Sequence, residues 1–87
     1  MKESEIIEGV TREVAEALQI PQENVKLESK LGLELGAESI DYLDLTFRLE
    51  KVFGLEIPDG ELFQSSSRHP STMSVREVVD FVVSRKS

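Results

Sequence analysis

Apolar residues recur at intervals of three and four in three separate stretches, and this spacing constrains the fold more than any other feature. The stretches cover residues 4–18, 39–53 and 74–82. Such spacing is typical of amphipathic helices, which pack one face against a core. The last stretch is rich in valine, which favours strands, but its period favours a helix. The sequence therefore predicts an all-α protein.

Residues that commonly begin or end helices lie at the ends of these stretches. Pro21 is expected to end the first helix, and Gly54 is a natural stop for the second. Ser74 and Glu77 have the spacing of a capping box at the start of the last helix. The three stretches are therefore read as three separate helices.

The segments between these helices are predicted to differ in character. Residues 22–37 form a long ordered loop, which is uncommon and tends to be functional. Its apolar residues are expected to fill the core: Val25, Leu27, Leu31, Leu33 and Leu35. Asp59 is placed to cap a short third helix over 60–64, and a polar loop follows over 65–73.

The second helix carries two apolar rows rather than one. The first row is Ile40, Leu43 and Phe47, and the second is Leu45, Leu49, Val52 and Phe53. Two apolar rows imply that the helix makes apolar contacts on two of its sides. We predict that one row faces the core and the other lies at its edge, available to a ligand or a partner.

The 87 residues are predicted to form one domain, 1–87. The chain has no cysteine, which excludes disulfide scaffolds, thiolate metal sites and a protein thiol as nucleophile, and no metal site is expected. The first 18 residues are charged throughout, so the sequence predicts neither a signal peptide nor a membrane span. A cytoplasmic protein is expected.

Acidic residues are concentrated in the middle of the chain. The net charge is −7, and residues 34–61 hold eight acidic and two basic side chains. Such a surface repels nucleic acid and attracts basic protein patches. The alternative is that these acids only keep the protein soluble.

Ser39, at the start of the second helix, has three interpretations. Serine is a preferred N-cap residue, and an acid in the first turn complements the helix dipole. A hydrolase nucleophile needs a base and an oxyanion hole, and the lone His69, read as a solvated loop residue, does not supply them convincingly. The third interpretation is an attachment point, because a phosphodiester there would meet free backbone N–H groups.

Residues 35–41, Leu-Gly-Ala-Glu-Ser-Ile-Asp, resemble the Leu-Gly-x-Asp-Ser-Leu-Asp attachment motif of acyl carrier proteins. The helix that follows and the later Ile57-Pro58-Asp59 also resemble that family at matching spacing. The similarity spans essentially the whole chain. It implies a four-helix bundle with three longer helices and one short third helix.

The resemblance also implies a function. A phosphopantetheinyl transferase would attach 4′-phosphopantetheine to Ser39, and the thiol of this cofactor would hold acyl groups as thioesters. The protein would be a carrier and not an enzyme, delivering acyl groups to fatty-acid, lipid or polyketide synthesis enzymes. It is expected to be a monomer, and the acyl chain can fold back between the helices.

Partners, namely the transferase, acyltransferases and synthases, would meet the side of the second helix that carries both acids and an apolar row. The acids are Glu38, Asp41, Asp44 and Glu50, and the apolar centre is Ile40, Leu43 and Phe47. Charges at the rim of such a contact mainly set the encounter rate, so the contact is expected to be weak and fast.

The sequence departs from the family at several positions. Glu38 stands where the family usually has aspartate and Ile40 where leucine is typical, which keeps the charge and the apolar character. Arg48 interrupts the acidic face, and it either narrows the set of partners or, as is more common for a surface arginine in a helix, is simply solvated. The link over 64–73 is longer than usual and, together with the aromatic Tyr42 and Phe47, resembles specialised carriers such as those for very-long-chain acyl groups.

Two other functions remain open. An aminoacyl or peptidyl carrier uses the same tether and a similar bundle, although the acidic second helix disfavours it. An unmodified acidic helical adaptor would bind a basic partner through residues 38–53 and would not need Ser39.

Overall fold

The computed structural model describes residues 1–58, 61–63 and 69–86. Its elements are α1 (Glu3–Leu18), α2 (Ser39–Phe53), α3 (Val75–Lys86) and two short 3₁₀ turns, Gln22–Asn24 and Pro70–Thr72. No strand forms within the described residues, which confirms the all-α prediction. None of the helices built from these residues has both the length and the apolar character needed to cross a lipid bilayer.

The short third helix is the part of the predicted fold that is not confirmed. Residues 61–63 form a turn, and Asp59, Gly60 and Gln64 lie outside the described residues. The polar link lies outside them as far as residue 68. From His69 onwards it leads through the turn Pro70–Thr72 into α3.

α1 packs against the core as its spacing predicts, with Ile6, Val10 and Val14 almost fully buried. Gln19 ends the helix in the left-handed conformation, at φ 58°, two residues before Pro21. Its backbone N–H donates to carbonyls of the last turn, so the chain reverses there. Proline therefore follows the end of the helix rather than causing it.

α2 has the predicted limits and the predicted two faces. Tyr42, Leu45, Leu49 and Phe53 are buried, whereas Ile40, Leu43 and Phe47 are exposed. The prediction that one row lies at the edge of the core is thus confirmed, but Val52, placed in the inner row, is exposed. Gly54 ends the helix at φ 65°, a conformation that glycine adopts without steric cost.

The long loop over 22–37 crosses to the start of α3. The backbone N–H of Leu31 donates to the carbonyl of Met73 at 2.9 Å, and an isolated antiparallel bridge joins Lys30 to Ser74. Leu31 is buried as predicted, but Leu33 is 71% exposed, so the prediction that every leucine of the loop fills the core is wrong for this residue.

α3 closes the bundle with four valines that are fully buried: Val75, Val78, Val79 and Val82. The predicted capping box is present, because the Glu77 N–H donates to Ser74 Oγ at 3.3 Å and the Ser74 N–H donates to the Glu77 carboxylate at 3.4 Å. Lys86 Nζ also donates to the Phe53 carbonyl at 3.0 Å, which joins the ends of α2 and α3. Each buried valine contributes about 1.5–3 kcal/mol of apolar burial.

Arg48 links α2 to α1 and is not simply solvated. Its Nη1 lies 3.3 Å from a carboxylate oxygen of Glu13 and 3.3 Å from one of Glu16, and its Nε lies 3.0 Å from Asp44. The hydrogen bond to Asp44 is the largest cause that raises the pKa of Arg48. The side chain of Glu13 is only 8% exposed, so this carboxylate needs a compensating charge, which Arg48 supplies together with Arg12, whose Nε lies 3.5 Å from the other carboxylate oxygen.

We expect Arg48→Met to lower the free energy of unfolding by about 1–2 kcal/mol, because it leaves the buried Glu13 carboxylate without this cation. Urea denaturation followed by circular dichroism measures the change. Arg76→Met is the matched control, since Arg76 pairs with Asp80 one turn away on an exposed face. That variant should lose less than about 0.5 kcal/mol. Equal losses in the two variants would contradict the linking role of Arg48.

Candidate functional site

Ser39 is the first residue of α2 and lies exposed at the surface. Glu38 occupies the N-cap position, and the Asp41 carboxylate accepts from the Glu38 backbone N–H at 2.8 Å. The interpretation of Ser39 as the helix cap is therefore wrong. No described residue forms a hydrogen bond with the Ser39 hydroxyl. The oxygen is thus accessible to an approaching enzyme.

The chain before Ser39 keeps this position open. Gly36 adopts φ 79°, and a Cβ built on it would meet no atom within 4 Å. The first N–H groups of a helix have no partner within the helix, so those of Ser39 and Ile40 are free to meet an anion. The residues here therefore fit a phosphodiester on the Ser39 hydroxyl, although two carboxylates, of Glu38 and Asp41, lie nearby.

A cleft of about 430 Å³ lies beside α2, and Ser39 is one of the residues that line it. One wall comes from successive turns of α2, and the rest comes from the segments between α2 and α3. The lining residues are Ser39, Tyr42, Leu43, Thr46, Ile57, Pro58, Leu62, Phe63, His69 and Pro70. The cleft thus combines an apolar interior with hydroxyl groups and one imidazole.

Tyr42 forms the inner part of this cleft. Its ring packs against Phe63 with 5.2 Å between centroids, and the residue is 8% exposed. The phenolic oxygen has no hydrogen-bond partner among the described residues. Burial raises the pKa of Tyr42 above its ordinary value of 10.0, and the charge of Asp41 raises it further.

This environment predicts how Tyr42 titrates. We expect its ionisation midpoint to lie above 10.0 in the folded protein and to return to about that value in urea. Because the raised pKa favours the neutral form in the folded state, Tyr42 contributes stability below pH 10.0 that is lost as the pH rises through the folded pKa. Phenolate absorbance measures the midpoint without ambiguity, since Tyr42 is the only tyrosine. Identical midpoints with and without urea would contradict the burial of this ring.

His69 is exposed, as expected of a loop residue, but it also borders the cleft. Its Nδ1 accepts from the Ser71 backbone N–H at 3.1 Å. The neutral imidazole therefore carries its proton on Nε2. No hydrogen bond joins His69 to Ser39 among the described residues, so the arrangement does not supply the base that a serine nucleophile needs.

The residues predicted to meet partners differ in their local roles. Glu38 is exposed, but Asp44 is paired with Arg48 and Asp41 caps the helix. The Glu50 carboxylate accepts from the Ile57 backbone N–H at 2.8 Å, so it also fixes the chain beyond α2. The apolar row Ile40, Leu43 and Phe47 is exposed, on the side of α2 away from the core.

Comparisons with known proteins agree with this site. The model of a family described as the phosphopantetheine attachment site matches residues 8–67. The acyl carrier protein of Campylobacter hominis is 36% identical over 78 residues, covering 90% of both chains. The chain belongs to the acyl carrier protein family. The acyl carrier protein of Thermosynechococcus vestitus is 37% identical over 82 residues, covering 94% of this chain and 93% of its own.

Membership of the acyl carrier protein family establishes the general function. The protein is a carrier, and phosphopantetheine is its cofactor. Its relatives are acyl carrier proteins, which are carriers rather than catalysts. The resemblance to acyl carrier proteins seen in the sequence, and the carrier function that it implied, are thus confirmed.

Tyr42, Thr46 and His69 line the cleft but were not predicted from the sequence as residues of the site. Tyr42 and Thr46 follow Ser39 at helical spacing, so their position on the same face was available from the sequence. His69 comes from a segment without a repeating pattern. Its place at the cleft depends on contacts between distant parts of the chain.

Proposed function

We propose that Ser39 is the residue that carries 4′-phosphopantetheine, and that this acyl carrier protein works as a single, monomeric domain over 1–87 in the cytoplasm. The observation that supports Ser39 is its exposed hydroxyl, free of hydrogen bonds to described residues, at the start of α2 within the matched segment. The proposal includes the short third helix over 60–64 that is usual in the family.

The residues around Ser39 would each have a part in attachment. The Ser39 Oγ forms the phosphodiester, and the first N–H groups of α2 lie where they stabilise its negative charge. The transferase supplies the base, because no described residue of the carrier holds one at this hydroxyl. Once bound, the cofactor provides a thiol that holds an acyl group as a thioester.

The delivery of acyl groups would use the outer side of α2. Ile40, Leu43 and Phe47 expose a continuous apolar row, which is the kind of surface that packs into a shallow partner pocket. Acids beside this row would attract basic patches on transferases, acyltransferases and synthases. Each of these acids also makes a contact within the protein, and Glu38, which belongs to the capping box of α2, is the most exposed of the four.

The first experiment is co-expression of the protein with a broad-specificity phosphopantetheinyl transferase, followed by intact mass measurement. We expect the whole population to gain the mass of one pantetheinyl phosphate. A protein that stays unmodified while a control carrier is modified in the same cells would overturn the proposal. Retention of a partner-binding activity by the unmodified protein would then favour the adaptor.

A second experiment concerns the kind of acyl group. The modified protein is offered to a malonyl transferase and, separately, to an amino-acid-adenylating ligase. We expect loading by the malonyl transferase, because its basic docking patch suits the acidic face of α2. Loading by the ligase alone would identify an aminoacyl carrier instead.

A further inference from the structure

A second, small cavity lies inside the core, between α1, α2 and the loop over 22–37. Its volume is about 10 Å³, hardly more than one water molecule needs. α1 lines it with Val14 and Leu18, the loop with Leu31, and α2 with Tyr42 and Leu45. Among the described residues, Tyr42 alone lines both this cavity and the cleft. Tyr42 therefore stands where the two spaces come closest.

The ring of Tyr42 extends from α2 to the loop. It packs against Phe63, which belongs to the wall of the cleft, with 5.2 Å between the ring centroids. Its far end meets the loop, because a Cβ built on Gly32 would lie only 2.8 Å from the phenolic oxygen. Gly32 directly follows Leu31, which lines the small cavity. The ring thus runs from the wall of the cleft to the part of the loop that bounds the small cavity.

The packing around this ring leaves no opening at its end. The phenolic oxygen is buried, although it has no hydrogen-bond partner among the described residues, and Tyr42 as a whole is 8% exposed. Turning such a ring aside would open a void in a close-packed core, which is unfavourable. A molecule in the cleft therefore meets the Tyr42 ring as a fixed wall.

An acyl chain is a guest that the linings of both spaces suit. The cleft offers apolar side chains such as Leu43, Ile57 and Leu62, and Ser39 also lines it. The small cavity is bounded by the buried Leu31 and Leu45. Burial of each further CH₂ group is favourable, so a long chain would extend into the core if the way were open.

We propose that the ring of Tyr42 separates the carried acyl chain from the core, so that the chain stays in the cleft and the length that this carrier can shelter is limited by Tyr42. This inference rests on the proposed attachment of the cofactor at Ser39. The part of a chain that exceeds the cleft then remains in contact with water instead of entering the space between α1 and α2.

The first test uses the phosphopantetheine-bearing wild type loaded with a tetradecanoyl group. Nuclear Overhauser effects are measured between the acyl chain and labelled leucine and valine methyl groups. We expect effects to Leu43 and Leu62 in the cleft, and none to Val14, Leu31 or Leu45 around the small cavity. Effects to the second group, or to neither group, would overturn the inference. This measurement does not depend on the stability of any variant.

Two variants test the ring itself. Tyr42→Leu shortens the side chain and opens a passage beside the loop, whereas Tyr42→Phe keeps the ring and removes a hydroxyl without a hydrogen-bond partner among the described residues. We expect effects to Leu31 and Leu45 to appear in Tyr42→Leu and to stay absent in Tyr42→Phe. A Tyr42→Leu variant with the wild-type pattern, or a Tyr42→Phe variant with the new one, would contradict the role of the ring.

The rate at which hydroxylamine cleaves the thioester measures the consequence for retention of the chain. The tetradecanoyl thioester should be cleaved about fourfold more slowly in Tyr42→Leu than in the wild type, which is the effect of burying one further CH₂ group. The hexanoyl thioester should be cleaved at the same rate in both. Equal slowing of the two thioesters would overturn the inference, since it would indicate a general change in the cleft.

Failure of the cofactor to attach is a separate result. It is visible in the intact mass before any acyl group is loaded, and it would refute the proposed function itself.

Discussion

The Ser39→Ala variant is expected to gain no mass when it is incubated with a phosphopantetheinyl transferase and coenzyme A, whereas the wild type is modified completely. Only the hydroxyl of Ser39 is removed, and none of the described residues depends on it for a hydrogen bond. Since Glu38 holds the N-cap position and alanine favours helices, the free energy of unfolding should change by less than about 0.5 kcal/mol. Intact mass and urea denaturation measure the two effects.

Ser4→Ala is the matched control for this experiment. Ser4 is also an exposed serine in the first turn of a helix, α1, so it differs from Ser39 mainly in its surroundings. The Ser4→Ala variant should be modified as fully as the wild type. Modification that persists in Ser39→Ala would place the cofactor on another residue and refute the assignment of Ser39.

The second large effect is expected in the core. Leu49→Ala should lower the free energy of unfolding by about 2–5 kcal/mol, because Leu49 is fully buried in the core and its removal leaves a cavity. A domain of this size has about 5–15 kcal/mol in total, so the variant should be partly unfolded at moderate temperature. Thermal and urea denaturation followed by circular dichroism measure the loss.

Phe47→Ala is the control from the same helix. The Phe47 side chain is larger than that of Leu49 but lies on the exposed face, so its removal should change the free energy of unfolding by less than about 1 kcal/mol. The same variant should raise the KM of the transferase, since the ring belongs to the proposed docking surface. A loss of stability equal to that of Leu49→Ala would contradict the outward orientation of Phe47.

The helices could be predicted from the sequence because their evidence is local. The limits of α2, Ser39–Phe53, follow from the apolar spacing and from Gly54, and the start of α3 follows from Ser74 and Glu77. The cap of α2 was harder, because glutamate is an unusual N-cap residue and serine a usual one. The serine that looked like the cap is instead the first helical residue.

The remaining features depend on contacts between residues far apart in the chain. Arg48 looked solvated because its partners Glu13 and Glu16 lie on α1, and the crossing of two helices is not visible in a periodic pattern. Leu33 could not be distinguished from Leu31, since an irregular loop has no repeat that separates inward from outward positions. The unpaired hydroxyl of Tyr42 likewise requires the folded chain.

The bridge between Lys30 and Ser74 has a consequence for the order in which the chain acquires its shape during synthesis. The loop that leads into α2 cannot settle until the segment carrying Ser74 has left the ribosome, because the loop's hydrogen-bond partners lie there. α1 and α2 form earlier but lack this support. The nascent chain therefore presents Ser39 in its final setting only after the segment around Ser74 has emerged, so a transferase that recognises the folded surface meets its substrate after that point and not when α2 first appears.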